Sequence, residues 1–187
     1  MGIPPGHNIV ISPIGELEPD LIETVCGEVH LIFNFDVEVI SLLNDVEFAF
    51  DADRNQYYST PILTQLAKLA PPSALKVLAL TRVDLFIPIL THVYGEAQLG
   101  GKACLISTAR LDESLTPAHA NRLYLDRVSK EAAHELAHTF NLRHCKDAGC
   151  LMHYCRSIRD VDQKNNDFCR YCRTLLGDEL KRMGLGD

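Results

Sequence analysis

Two histidines four residues apart, with a glutamate beside the first, form the run His134-Glu135-Leu136-Ala137-His138; His144 and Cys145 follow. On a helix, residues i and i+4 project from one face, so both imidazoles can converge on one ion. A third histidine six positions further on cannot reach that ion if the helix continues. The chain must therefore turn sharply, and Asn141 stands where the turn is needed. Three neutral nitrogen donors with one position left open make the donor set of a catalytic zinc rather than a structural one. Glu135 is placed to activate a water on such an ion. An amphipathic helix with incidental histidines would account for the first pair, but not for His144 and the cysteines behind it.

Those cysteines are the second constraint. The chain has seven, and Cys145, Cys150, Cys155, Cys169 and Cys172 all follow the histidine motif closely. The chain begins with no charged segment followed by an apolar one, so no secretory signal is expected. A disulfide framework is then the weaker explanation, and the clustering reads as metal ligation. Cys145 and Cys150 form one pair and Cys169 and Cys172 another, a pattern suited to a closed, structural zinc site. Cys155 and His153 are competing donors. Because His144 and Cys145 are consecutive, donors to two ions would sit about 3.8 Å apart at Cα, and the second site would help to aim the third histidine.

Composition narrows the remaining classes. The 187 residues are 47% apolar, which suits a globular core, and are expected to form a single domain. Its parts would be an N-terminal subdomain over 1–143 and a small C-terminal subdomain over 144–187. No apolar stretch approaches the roughly 18 uncharged residues of a membrane span. A formal charge of −7, scattered basic residues and the absence of Trp argue against a nucleic-acid surface. The chain is expected to be a cytoplasmic monomer.

Periodicity predicts alternating strands and helices. Asn8 to Ser12 is a β-branched run closed by Pro13. A helix opens at Glu18-Pro19-Asp20 and buries Leu21, Ile22, Val25, Val29 and Ile32. Val37 to Leu42 reads as a second strand, and Phe48 to Gln56 as an irregular strand ending in a turn. The next helix runs from about Ser59 to Leu69 and is stopped by Pro71-Pro72. Leu75 to Thr81 is nearly all apolar, as in a strand buried on both faces. Val83 to Pro88 is a loop or short extended piece. Val93 to Gln98 and Ala103 to Thr108 flank a Gly100-Gly101 turn, and either could form the sheet edge above a cleft. Thr116-Pro117 starts the long motif helix, which carries Leu123, Val128, Ala132 and Leu136 and ends near Asn141. A last helix spans roughly Arg173 to Met183. The fold class is α/β (α+β): a mixed twisted sheet, a backing helix, an active-site helix and a small Cys-rich lobe.

The run from His134 to Cys145, then Cys150-Leu151-Met152 and Cys169-Arg170-Tyr171-Cys172, resembles the archaemetzincins, zinc metalloproteases of the metzincin clan. Val83-Asp84-Leu85 and Tyr94-Gly95-Glu96-Ala97 resemble that family's sheet segments, so the likeness runs from about Leu75 to Cys172. It implies a peptidase with two zinc ions. One would be held by His134, His138 and His144, with Glu135 as general base and acid. The other would be held by Cys145, Cys150, Cys169 and Cys172, the family spacing favouring Cys150 over Cys155. Met152 matches the clan's Met-turn beneath the histidines. Tyr154 stands where some metzincins place a fifth ligand or an oxyanion aid, although packing within the turn is the simpler role. Relatives usually have Gly at the position of Asn141, and Asn also visits the left-handed region at modest cost. Ala137 replaces another frequent Gly and is the better helix former. Cys26 and Cys104 read as core thiols, and His7, His30, His92 and His119 have no partner pattern. A different class of function, a zinc-stabilised binding or regulatory module with an idle site, would not need Glu135.

Overall fold

The computed structural model describes residues 7–115 and 120–186. The Thr116-Pro117 helix start and His119 lie outside the described residues.

β1 (Asn8–Pro13) is the expected β-branched strand, and α1 (Pro19–Phe33) begins with proline at its first turn. Leu21, Val25, Val29 and Phe33 recur every fourth residue and are buried, each contributing about 1.5–3 kcal/mol relative to exposure. Asn34, at φ 58°, ends the helix in the left-handed region. β2 is shorter than expected, Val37–Val39, and pairs with β1 in parallel.

The expected irregular strand over 48–56 resolves into smaller pieces. A 3-10 turn (Glu47–Ala49) leads into β3 (Phe50–Asp51) and, after a turn, β4 (Gln56–Tyr58). Asp51 Oδ1 accepts from the Asp53 and Arg54 N–H groups, both at 3.0 Å, and Asn55 takes φ 53°. This Asx-type turn closes the hairpin.

α2 (Ser59–Leu69) matches its expected bounds. β5 (Ala74–Thr81) is followed by β6 (Leu85–Phe86), β7 (Gly95–Ala97) and β8 (Ala103–Ser107). The main sheet has the order β2-β1-β5-β8-β7, with only β7 antiparallel to its neighbour. β3, β4 and β6 form a separate three-stranded sheet that periodicity did not anticipate. Its strands are two or three residues long, too short for an alternation to register.

The main sheet is covered on both faces. Ile9, Ile11, Leu78, Leu80, Cys104 and Ile106 enter one core with α1 and α3 (Ala120–Thr139). Val10, Val77, Ala79, Ala103 and Leu105 enter the other with α2. That is why β5 reads as an unbroken apolar run.

Beyond α3 the chain is mostly irregular. α4 (Ile158–Gln163), not foreseen, carries a reciprocal capping box between Ser157 and Asp160 and buries only Ile158 and Val161. α5 (Arg170–Arg182) starts three residues earlier than expected, with Cys169 at its N-cap. Cys172 and Leu176 are its buried residues, so the thiol and the apolar stripe share one face. Among the described residues, no helix is long and apolar enough to cross a membrane.

Candidate active site and metal centres

α3 delivers His134, Glu135 and His138 to the floor of a cavity of about 650 Å³. The helix then ends as the sequence requires. Asn141 takes φ 65°, its N–H reaches the His138 carbonyl at 2.9 Å, and the Leu142 N–H reaches the Ala137 carbonyl at 3.2 Å. This pair of bonds is a Schellman ending with Asn at the left-handed position. The turn brings His144 back over the helix. Its ring lies 5.3 Å from that of His134 and 4.8 Å from that of His138, centroid to centroid.

The histidines are oriented by main-chain carbonyls. His134 Nδ1 stands 2.8 Å from the Leu151 carbonyl and His138 Nδ1 2.6 Å from the Leu142 carbonyl. A carbonyl can only accept, so each Nδ1 carries the proton and each Nε2 is bare. Those two Nε2 atoms are 3.1 Å apart. Two lone pairs facing one another repel unless a cation lies between them, and carbonyl-oriented imidazole is the usual arrangement around bound zinc. Burial holds all three histidines below their ordinary pKa, with His138 brought down to about 4. They are thus neutral at pH 7, as metal ligation demands.

Glu135 lies in the same cavity. Burial, then the neighbouring Glu131, pushes its carboxyl up to about 8. A divalent cation on the histidines would act the other way and favour the carboxylate. Glu131, one turn earlier on the helix, is paired with Lys164 at 2.7 Å, and both are buried. Spacing alone could have shown Glu131, since it precedes Glu135 by four residues. Lys164 could not have been found that way.

Four thiols gather beside this site. Cys145, Cys150, Cys169 and Cys172 offer sulfur atoms within 4.8 Å of one another, as do the nitrogen atoms of the three histidines. The Cys169 N–H donates to Cys150 Sγ at 3.3 Å. A backbone hydrogen bond from Cys172 lowers the Cys169 thiol pKa, whereas burial raises those of Cys150 and Cys172. The competing donors go elsewhere. His153 Nδ1 is 3.2 Å from the Cys145 carbonyl, and Cys155 lines the main cavity, where burial lifts its thiol to about 11. Cys104 is fully buried and Cys26 packs at the core margin. Both donor sets therefore fit zinc, one leaving a position open and one closing the tetrahedron.

Met152 is fully buried in the core shared with Leu136 and Leu151, and its carbonyl accepts from the Cys145 N–H at 2.8 Å. Tyr154 is 43% exposed, lines the cavity and lays its ring 4.9 Å from that of His144. His92, which had no partner pattern, also lines the cavity and meets Tyr94 edge-on at 5.4 Å. Of the two candidate edge strands, β7 is the one at the sheet margin.

The profile of Peptidase family M54 matches residues 35–178. The chain belongs to this family. The archaemetzincin of Methanopyrus kandleri is 42% identical over 138 residues, covering 74% of this chain and 75% of that protein. The archaemetzincin of Archaeoglobus fulgidus is 36% identical over 169 residues, 90% and 98% of the two chains. The crystal structure of the M. kandleri protein superposes with a TM-score of 0.84 at 33% identity, covering 96% of this chain and 98% of that one. The M54 chain is accordingly a zinc metallopeptidase, acting on peptide or protein substrates. Nothing found favours the binding-module alternative.

Proposed function

We propose that His134, His138 and His144 hold the catalytic zinc and that Glu135 is the general base and acid of peptide hydrolysis. The observation that carries this reading is the facing pair of bare Nε2 atoms on His134 and His138, 3.1 Å apart, beside a buried carboxyl group. Zinc bound there would supply a Lewis acid and lower the pKa of a water toward neutrality. Glu135 takes the proton from the attacking water and returns it to the leaving amine, so one carboxylate serves both halves of the reaction. β7 offers its outer edge to an extended peptide, which would pair with it through main-chain hydrogen bonds. Tyr154, standing against His144, is placed to contact the substrate or serve as the fifth ligand or oxyanion aid.

Cys145, Cys150, Cys169 and Cys172 hold the structural zinc in this reading. Zinc held there would tie the irregular tail to the end of α3, so that Cys145 aims the adjacent His144. Met152 is the apolar floor of the Met-turn. Two features support a monomer in a reducing, cytoplasmic setting: the site is complete within one chain, and its thiols must stay reduced to bind metal.

The test is Glu135→Gln, which keeps the side chain's size and removes the base. Turnover should fall roughly 10²–10⁴-fold, the usual worth of general acid–base assistance. Metal analysis should still find zinc on the histidines. Unchanged cleavage of a peptide library would place the hydrolytic site elsewhere.

A further inference from the structure

Gly95 is the glycine at the start of β7, and its backbone does not call for glycine. The described glycines with positive φ are Gly15, Gly100 and Gly184. Gly95 instead sits where a side chain has no room. A Cβ built on it would lie 2.6 Å from Glu135 Cγ, 3.0 Å from Glu135 Cδ and 2.7 Å from the Leu105 carbonyl oxygen. All three separations fall far inside normal van der Waals contact.

The surrounding strand explains why this happens here. Successive residues of a strand point to opposite faces. Glu96 reaches toward α2, where its carboxylate accepts from the Ser59 hydroxyl at 2.5 Å and the Thr60 hydroxyl at 2.9 Å. Gly95 and Ala97 therefore face α3, and both are small. The turn after β7 is also tied to the helix, with the Gly100 N–H donating to the His138 carbonyl at 2.9 Å. The edge strand and the motif helix thus lie close together, and the stem of Glu135 passes between them.

We propose that Gly95 is a positioning residue: the space its missing side chain leaves is the slot that holds the Glu135 stem beneath the edge of β7. The inference rests on Glu135 being the base. Any larger residue at 95 must turn the carboxylate or lift the strand, and either change moves the base relative to a peptide paired with β7. A displacement of about 1 Å can cost up to about 100-fold in rate.

The experiment is Gly95→Ala in the zinc-loaded protein, alone and combined with Glu135→Gln and Glu135→Ala. Gly95→Ala should keep two zincs per chain and a near-normal KM while kcat falls by up to about 100-fold. Its lowering of Tm should be the same in the wild-type and Glu135→Gln backgrounds, because Gln fills the same space. The lowering should shrink in the Glu135→Ala background, where the clashing atoms are gone. Gly27→Ala, whose Cβ meets nothing within 4 Å, is the control and should leave activity intact. An equal Tm loss in all three backgrounds would show that Gly95 serves only the Leu105 carbonyl, and a wild-type kcat in Gly95→Ala would also overturn the proposal. Should the wild type cleave no peptide, the functional reading fails, and the melting comparison still decides the role of Gly95.

Discussion

His134 and His138 present bare Nε2 atoms to each other at 3.1 Å, because Leu151 and Leu142 hold the opposite ring nitrogens with main-chain carbonyls. Lone pairs at that separation are destabilising alone and stabilising around a cation. The carbonyls come from the Met-turn and from the residue just past the helix end. Both segments are anchored by the thiol cluster, through Cys150 beside Leu151 and Cys145 bonded to Met152. The two metal sites are thus mechanically linked while differing in donor chemistry.

That difference predicts unequal lability. The protein should carry two zincs, and a chelator should remove the histidine-bound ion first, since three nitrogens leave a position open and four thiolates do not. Activity should vanish while one zinc remains. Metal analysis along a chelator titration checks this, and simultaneous loss of both ions would count against it.

Replacing a thiol should damage folding more than replacing a histidine. Structural zinc supplies about 10 kcal/mol or more in isolated zinc modules. The effect should be smaller here, because α5 also buries Leu176 in the common core. Cys169→Ser and Cys172→Ser should melt well below His134→Ala. Circular dichroism melts of the three variants decide it, and the opposite ranking would mean that the sites are reversed.

Asn141 should tolerate glycine but not a β-branched residue. At φ 65° it occupies the left-handed region, which costs most residues about 1–2 kcal/mol. Asn141→Gly should fold and bind zinc normally. Asn141→Val should lose about 1–2 kcal/mol in urea unfolding and weaken zinc at the histidines, because His144 lies just beyond the turn.

Lys76 gives a pH dependence that can be isolated. It is 4% exposed and donates to the carbonyls of Gly101 at 2.7 Å and Thr139 at 2.6 Å, bracing the end of the motif helix. Burial lowers its pKa from 10.5 to about 8. Between these values the unfolded chain binds a proton that the folded chain has released, so this group makes stability rise with pH across that window. The rise is at most about 3 kcal/mol. Lys76→Met should remove it. Urea midpoints of the variant and wild type should therefore converge or cross between about pH 8 and 10, and parallel curves would disprove the effect.

Much of this protein was written locally. The i, i+4 spacing of His134 and His138 and the need for a left-handed residue before His144 depend on short-range geometry. So do the C-terminal limit of α2, set by Pro71-Pro72, and the double-sided burial of β5. These features could be read from the sequence because helix periodicity, proline and chain stereochemistry act within a few residues. α4 stayed hidden because two buried residues make no periodic signal.

Other features existed only once distant segments met. The tertiary structure placed β7 at the sheet edge, grouped Cys150 with the other thiols while turning Cys155 into the cavity, and brought the Leu151 carbonyl to His134. It also buried Lys164 against Glu131, 33 residues away in sequence, and pressed Glu135 against Gly95. Each of these depends on how α3 packs against the sheet and the Cys-rich segment that follows it. The sequence determined which chemical groups were available. Packing decided their separations and their orientation, because those distances arise only when the layers close.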